Sequence, residues 1–275
     1  MKITNVSFSL SEQPKNLESW REKLLKEMEN HFGSGTSIML YPELFLMGLS
    51  HFMKESEIPH YVEKTLIPDI KATLKKDQLV VLGSFLRHHE SQTFNSAPVI
   101  QKDSVFFQDK LYLTPWESDF TSGKELKVFS FMGLKTAVII CFDIEQPDLA
   151  MKLKQESIDL ILVPSATTNK NGNDRVNRCA SARAIELGAA VITSPIVGDS
   201  TCDLVDHNEG RQGFFLPAQD QIQRDQEEYS DYSTSLHIVK TYELEEEVIK
   251  DLKRPSSETK PFLKPISEDL KVVRI

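Results

Sequence analysis

Three residues with chemically useful side chains each follow a short apolar run: Glu43, Lys110 and Cys141. A carboxylate can act as a base, an ammonium group can stabilise negative charge, and a thiol can act as a soft nucleophile. Together these groups can attack an amide-like carbon and hold the oxyanion that results. The order and the sequence contexts of the three residues, more than any one of them, point to this chemistry.

Each residue also has a simpler interpretation. Glu43 could be a solvated carboxylate in a turn, and Lys110 could be a strand-end lysine that reaches solvent. Cys141 ends an apolar run and precedes Pro147, and proline is common at the first position of a helix. A cysteine in such a strand-to-helix turn is expected to expose its sulfur near free backbone N–H groups, which would favour the thiolate. An inert buried cysteine is the alternative.

Alternating strand and helix patterns surround these residues and predict a layered α/β domain with mixed sheets. The apolar periodicity predicts helices over 14–30, 60–76, 147–157, 174–188 and 244–253. The predicted strands are 1–10, 37–44, 78–86, 96–101, 104–110, 158–166, 189–198, 211–218 and 236–244, with a hairpin over 126–142 that turns at Met132 and Gly133. The polar stretch 220–235 is predicted to be an exposed loop, and 251–275 an extended tail after a domain over 1–250.

The bulk composition excludes several classes of protein. The chain has 275 residues with 32 Lys and Arg against 41 Asp and Glu, and the net charge of −9 argues against a nucleic-acid surface. No signal peptide or membrane span is predicted, because the N-terminus alternates like a strand and no apolar run is long enough. The three cysteines have no CxxC spacing, so neither a disulfide framework nor a zinc site is indicated. A reduced, cytoplasmic protein is expected.

Three motifs in order give the chain a resemblance to the nitrilase superfamily of carbon–nitrogen hydrolases, in an amidase-like branch. These motifs are YPELFLMG at Glu43, DKLYLTPWE at Lys110 and VIICFDIEQPDLA at Cys141. Supporting segments follow in the same order along the chain: FNSA, LILVPSA, RCASARAIE and GFFLP. The match covers almost the entire length. The resemblance implies a four-layer α-β-β-α sandwich that forms dimers or higher homo-oligomers, with the C-terminal tail contacting the partner.

The same resemblance implies a role for each matching residue. Glu43 corresponds to the general base, Lys110 to the oxyanion stabiliser and Cys141 to the nucleophile. Glu117 matches the second, supporting glutamate, and the backbone N–H of Phe142 is expected to complete the oxyanion hole. These roles imply hydrolysis of a small amide or carbamoyl substrate through a cysteine acyl-enzyme, with no metal and no organic cofactor.

The substrate pocket is less defined by the sequence. Trp116, Phe142 and Asn169 are candidate lining residues, although Trp116 could equally belong to the core. Glu145 stands where many members of the superfamily carry arginine, which weakens any role for this position in binding a substrate carboxylate.

Two alternatives to amide hydrolysis stay open. The acyl group could pass to an amine, which would make the protein an N-acyltransferase, or the fold could serve as a catalytically silent subunit that binds a small molecule. The complete set of Glu43, Lys110 and Cys141 counts against a silent subunit. A nitrile substrate is less favoured than an amide, because the resemblance is to amidase-like branches.

Overall fold

The computed structural model describes residues 1–11, 13–219, 222 and 224–252. The α-helical segments are Leu17–Gly33 (α1), Ile58–Tyr61 (α2), Ile67–Thr73 (α3), Pro147–Glu156 (α4), Lys170–Leu187 (α5) and Glu246–Leu252 (α6). A π-helical turn, Val62–Leu66, joins α2 to α3 into one continuous helix. Short 3₁₀ segments are Phe45–His51, Glu55–Glu57, Pro115–Glu117, Cys141–Glu145 and Asp203–Val205.

The strands in chain order are Lys2–Ser7 (β1), Thr36–Leu40 (β2), Leu79–Val81 (β3), Phe85–His89 (β4), Gln92–Gln101 (β5), Val105–Asp109 (β6), Val128–Phe131 (β7), Leu134–Val138 (β8), Leu160–Ser165 (β9), Ala190–Pro195 (β10), Gly198–Asp199 (β11), His207–Asn208 (β12), Gly213–Phe215 (β13), Glu227–Tyr229 (β14) and Ile238–Glu243 (β15). A seven-stranded sheet has the order β15-β1-β2-β3-β5-β4, with β6 also paired to β5. A six-stranded sheet has the order β14-β13-β10-β9-β8-β7, and β11 pairs with β12.

Both large sheets are mixed, as the sequence predicts. In the first sheet β1, β2 and β3 run parallel, and in the second β8, β9 and β10 run parallel, while the outer strands pair antiparallel. Parallel strands place their carboxyl ends at one edge of a sheet, where loops can bring side chains together. Each sheet therefore offers one edge with several strand ends.

The burial pattern produces four layers. On β2, Ile38 and Leu40 belong to the core between the two sheets, whereas Met39 points to the opposite core with Trp20 and Leu24 of α1. This alternation is the two-residue period of a strand buried on both faces. The helix 58–73 joins α1 on that outer face, and α4 and α5 cover the second sheet. The four-layer α-β-β-α sandwich predicted from the resemblance is confirmed.

Polar contacts fix the two sheets against each other at β1 and β10. Asn5 Nδ2 donates to the carbonyl of Thr193 at 2.8 Å, and Ser194 Oγ donates to the carbonyl of Val6 at 2.6 Å. Beyond the strands, the N–H of Leu10 donates to the carbonyl oxygen of Val197, which follows β10, at 2.9 Å. Because β1 and β10 also run in the same direction, the carboxyl ends of both parallel sets lie at the same edge of the sandwich.

The structure corrects several predicted boundaries. The first helix lies at Leu17–Gly33, where the side chain of Asn16 caps it, instead of 14–30. The predicted hairpin turn is confirmed, with positive φ angles of 47° at Met132 and 79° at Gly133. The prediction of a loop over 220–235 was wrong at β14, which pairs with β13. Three residues are too few to show strand alternation in a polar context.

The predicted C-terminal tail lies mostly outside the described residues. The helix α6 ends at Leu252, and 253–275 are not described. A homodimer in which this tail contacts the partner stays a prediction, and light scattering on the full-length chain would test it.

Gly83, which follows β3, supports the backbone that carries Glu43. Its φ is +56°, and a Cβ at this position would lie 2.0 Å from the carbonyl oxygen of Pro42 and 2.6 Å from the ring of Phe45. We expect Gly83→Ala to lower the free energy of unfolding by roughly 2–5 kcal/mol, through left-handed strain and overpacking. Chemical denaturation would measure the loss.

Gly33→Ala is the matched control for that substitution. No heavy atom lies within 4 Å of a Cβ built on Gly33, at the end of α1. Its stability should stay within about 1 kcal/mol of the wild-type value. If Gly83→Ala were no less stable than Gly33→Ala, the close contact with Pro42 would be refuted.

Candidate active site

Four strand ends meet at one edge of the sandwich, and three of them carry a predicted site residue. Glu43 follows β2 and Lys110 follows β6, both in the first sheet. Cys141 follows β8 and Ala166 follows β9, both in the second sheet. The site therefore forms between the two sheets, and its assembly depends on their packing.

Lys110 is the centre of the charged cluster. Its Nζ lies 2.8 Å from Glu43 Oε1 and 2.7 Å from Glu117 Oε2. The three residues are nearly inaccessible, with 2%, 1% and 5% of their surface exposed. An ammonium group at this depth is tolerated because it is paired with carboxylates. The interpretations of Glu43 and Lys110 as solvated surface residues are therefore wrong.

Asn95 and the backbone of Ala166 complete the contacts of the carboxylates. Asn95 Nδ2 donates to Glu43 Oε1 at 2.8 Å and to Glu117 Oε1 at 3.0 Å. The N–H of Ala166 donates to Glu43 Oε2 at 2.8 Å. Asn95 lies in the supporting segment FNSA but was not predicted as a site residue. The sequence alone does not show that it pairs with Lys110, because that pairing depends on the register of β5 and β6. The backbone confirms that register, since the N–H of Lys110 donates to the carbonyl of Asn95 at 2.8 Å.

Glu117 is held by its own turn. The N–H and the hydroxyl of Thr114 both donate to Glu117 Oε2, each at 2.9 Å. Thr114 and Glu117 thus form the capping pattern in which a threonine precedes a glutamate by three residues. The sequence TPWE contains this signal, and it explains why the carboxylate points inward beside Lys110.

Cys141 occupies a strained position at the start of a 3₁₀ turn. Its φ is +45°, a left-handed conformation that is rare outside glycine. The residue is 6% exposed, its Sγ lies 3.5 Å from the carbonyl oxygen of Ala166, and its thiol also interacts with the carboxylate of Glu43. Backbone strain of this kind persists only where the surrounding structure imposes it, and it is concentrated at functional sites.

Burial and the neighbouring charges shift the pKa values of the cluster. Burial raises the pKa of Glu43, and although Lys110 opposes this, the charge of Glu117 adds to it. For Glu117, burial also acts upward, but Lys110 and the hydrogen bonds outweigh it and hold the pKa below its usual value. Burial lowers the pKa of Lys110, but Glu43, Cys141 and Glu117 outweigh it, so the net shift is upward and the ammonium form is favoured.

The thiol of Cys141 does not behave as the sequence predicted. Burial raises its pKa well above the ordinary value, the charge of Glu43 raises it further, and Lys110 only partly opposes them. The expectation that the strand-to-helix turn favours a thiolate is therefore wrong for the resting protein. The turn lies within the protein rather than at its surface, so desolvation exceeds the effect of the neighbouring ammonium.

The predicted pocket residues have different environments. Trp116 is 87% exposed, so its interpretation as a core residue is wrong. Phe142 is half-buried in the 3₁₀ turn after Cys141. Asn169 is exposed and caps α5, where its Oδ1 accepts from the N–H of Gly172 at 2.9 Å. Their contacts with a substrate stay predictions.

Glu145 forms an ion pair of its own. Its carboxylate lies 3.2 Å from Nε of Arg175 on α5. The acidic residue at this position thus has a partner of opposite charge on the neighbouring helix.

In the part of the chain that the structure describes, no group of three or more His, Cys, Asp or Glu side chains is arranged to hold a metal ion. Over the same residues, no helix combines the length and the apolar character needed to cross a membrane.

The sequence is similar to that of known proteins. The family model for carbon–nitrogen hydrolases matches residues 5–232. The chain is 28% identical over 198 residues to a probable hydrolase, YhcX, of Bacillus subtilis (strain 168), a match that covers 68% of this chain and 39% of that protein. It is 26% identical over 168 residues to an (R)-stereoselective amidase of a Pseudomonas species, covering 60% of this chain and 61% of that protein. The matches span less than two thirds of either relative.

Solved structures share the fold at lower sequence identity. Nit3 of Saccharomyces cerevisiae, a member of branch 10 of the nitrilase superfamily, superposes with a TM-score of 0.72 and 17% identity, covering 95% of this chain and 96% of that chain. An amidase from a Nesterenkonia species superposes with a TM-score of 0.66 and 18% identity, covering 91% and 92%.

Proposed function

Because the chain belongs to the carbon–nitrogen hydrolase family, we propose that it hydrolyses a small amide through a thioester on Cys141. The observation that carries this proposal is the shared carboxylate of Glu43. One of its oxygens contacts Nζ of Lys110 at 2.8 Å, and the other accepts from the N–H of Ala166 at 2.8 Å, whose carbonyl oxygen lies 3.5 Å from the sulfur of Cys141. A proton acceptor, a cation and a nucleophile therefore meet at one point.

The protonation states support a concerted first step. The raised pKa of Cys141 keeps the resting sulfur as a thiol, and the raised pKa of Glu43 makes its carboxylate a stronger base. As the sulfur attacks the amide carbonyl carbon, its proton passes to Glu43 and the carbonyl oxygen becomes an oxyanion. Lys110 and the backbone N–H of Phe142 stabilise that oxyanion.

The remaining steps return the site to its starting state. Glu43 gives its proton to the leaving nitrogen, the C–N bond breaks, and ammonia or an amine departs from a thioester on Cys141. Water then transfers a proton to Glu43 and attacks the thioester carbon. The C–S bond breaks, the sulfur takes back its proton, and a carboxylic acid is released.

Glu117 and Asn95 hold the first three groups in place under this proposal. Glu117 supplies the second negative charge that keeps Lys110 protonated, and Asn95 bridges the two carboxylates at 2.8 and 3.0 Å. Trp116, Phe142 and Asn169 would contact the acyl group or the leaving group from the surrounding loops. A carbamoyl substrate would enter the same steps, since it also presents a carbonyl carbon bonded to nitrogen.

An amide panel with two readouts tests the proposed function. The purified protein is incubated with small aliphatic, aromatic and carbamoyl amides, and ammonia and carboxylic acid are measured together. Equal amounts of ammonia and acid support hydrolysis. Ammonia released with an N-acylated product, when an amine is added, would favour the acyltransferase. No release of ammonia or amine from any amide would contradict the proposal.

The pH profile should report Glu43 as the base. Its carboxylate must be deprotonated to accept the thiol proton, so kcat/KM should fall as the pH is lowered through its pKa. Burial raises that pKa above its ordinary value of 4.5, so the acid limb should be centred above pH 4.5. Initial rates over a pH series would locate the limb, with circular dichroism to confirm that the protein stays folded. A limb at or below 4.5 would contradict the assignment.

A further inference from the structure

Asp143 is a buried carboxylate that the steps above do not use. Its Oδ1 accepts from the N–H of Tyr112 at 2.7 Å, and its Oδ2 accepts from the N–H of Leu111 at 3.1 Å. The N–H of Ile140 also points to Oδ2, at 3.4 Å. One side chain therefore receives three backbone N–H groups that come from two separate loops.

The positions of these donors give the contact its meaning. Leu111 and Tyr112 follow Lys110 directly, and Ile140 directly precedes Cys141. We propose that Asp143 is a positioning residue that holds the Lys110 loop against the Cys141 turn and so sets the distance between the ammonium and the sulfur. This inference rests on the roles proposed for Lys110 and Cys141, and it extends them to a residue that touches neither substrate nor reacting atoms.

The chemistry of the side chain favours a carboxylate at this position. Two oxygens with several lone pairs can serve three donors at once, whereas an asparagine has one acceptor oxygen and would turn its own N–H₂ towards a donor. Burial raises the pKa of Asp143 to about 7, and the N–H groups of Tyr112 and Leu111, together with Lys110, act in the opposite direction. Burying a carboxylate beside the site costs free energy. The backbone N–H groups of the two loops need acceptors there, and the carboxylate of Asp143 supplies them.

Alkylation of Cys141 by iodoacetamide tests the inference without any substrate. The rate at Cys141 is followed by peptide mapping over a pH series below the raised midpoint, for the wild type, Asp143→Asn and Asp143→Ala. In that range the rate is proportional to the thiolate population, so a tenfold lower rate at a given pH reports an upward midpoint shift of about one unit. Lys110 lowers the pKa of the Cys141 thiol, so a displaced ammonium should move the alkylation midpoint upward. We expect a shift of at least about one unit for Asp143→Ala, a tenfold change in thiolate population, and a smaller one for Asp143→Asn.

The sign of the shift separates positioning from a direct charge effect. Removing a negative charge near Cys141 would by itself lower the pKa of the thiol, so the midpoint would move downward. A midpoint that stays unchanged or moves down would overturn the inference. Because alkylation needs no amide turnover, a protein that failed the amide panel could still show the upward shift, and the two proposals fail separately.

Asp159→Asn is the matched control. Asp159 is also a buried carboxylate, and its Oδ2 accepts from the backbone N–H of Lys135 at 2.9 Å. It precedes β9 at the end of the sheet opposite the site. This variant should lose thermal stability but keep the wild-type alkylation midpoint. An equal upward shift in Asp159→Asn would show that general destabilisation moves the midpoint, and would overturn the inference.

A second pair of variants keeps the test valid if the Asp143 variants do not fold. Tyr112→Pro removes the shortest donor while leaving Asp143 and its charge in place, because proline has no backbone N–H. Tyr112→Ala keeps that N–H and removes only an exposed side chain. The inference predicts an upward midpoint shift for Tyr112→Pro and none for Tyr112→Ala. Equal midpoints in the two variants would overturn it.

Discussion

Replacing Cys141 by alanine should abolish amide hydrolysis while leaving the fold intact. The variant removes the sulfur on which the proposed thioester forms. The other described partners of Glu43 are the ammonium of Lys110, the amide of Asn95 and the backbone N–H of Ala166. We expect kcat to fall by about 10⁴- to 10⁶-fold, as it does when a covalent nucleophile is removed from other hydrolases. Stability should change little, because alanine and cysteine share the left-handed strain at φ +45°. Ammonia release and thermal unfolding measure the two effects.

Cys179→Ala is the control for this prediction. Cys179 is a half-buried free cysteine on α5, outside the charged cluster. Its replacement should leave kcat near the wild-type value. If Cys141→Ala released ammonia as fast as the wild type, or if Cys179→Ala were the inactive variant, the proposed mechanism would be wrong.

Replacing Lys110 by methionine should remove activity and destabilise the protein together. Methionine has a similar length but no charge, so Glu43 and Glu117 would face each other without a cation. Breaking a buried ion pair from one side costs about 3–5 kcal/mol, and removing an oxyanion donor lowers kcat about 10²- to 10³-fold. Chemical denaturation and ammonia release would measure the two losses in the same preparation.

The stability loss should depend on pH in a defined direction. In the variant, burial and mutual repulsion raise the pKa values of Glu43 and Glu117 above their unfolded values. The folded state of the variant then binds protons more readily than its unfolded state. The stability that Lys110→Met loses relative to the wild type should therefore be largest at pH 8 and smaller at pH 5. A deficit that grew as the pH fell would contradict the presence of two uncompensated carboxylates.

Lys127→Met provides the comparison for an ion pair at the surface. Lys127 Nζ lies 3.0 Å from Glu125, with 33% and 77% of the two side chains exposed. Such pairs contribute about 0–1 kcal/mol, so this variant should stay close to wild-type stability at both pH values. A loss equal to that of Lys110→Met would show that burial is not the cause.

The sequence predicted the layered fold well because its strands are strongly apolar and its motifs are ordered. The buried runs in β9 and β10 and the turn at Met132 and Gly133 gave clear local signals. The strand β14 was missed, since its pairing with β13 is a long-range contact between short segments. Helix ends differed by a few residues, because a cap such as Asn16 competes with nearby polar residues that could cap equally well.

The residue types of the candidate site were predictable, whereas its protonation states and its supporting contacts were only partly so. Glu43, Lys110, Glu117 and Cys141 come together as the motifs suggested. The protonation of Cys141 was not predictable, because it depends on how deeply the turn is buried between two sheets. Asn95 and Asp143 were missed for a related reason: each acts through partners that only the tertiary structure brings close.

The measurement that tests the central claim most directly is the mass of the Cys141 peptide during turnover. The protein is mixed with the best substrate from the amide panel, quenched in acid within the first turnovers, digested and analysed by mass spectrometry. The mechanism predicts an added acyl group on the Cys141 peptide, absent from the peptides of Cys179 and Cys202 and absent from the Cys141→Ala protein. An acyl group carried by another residue while Cys141 stays unmodified would contradict it.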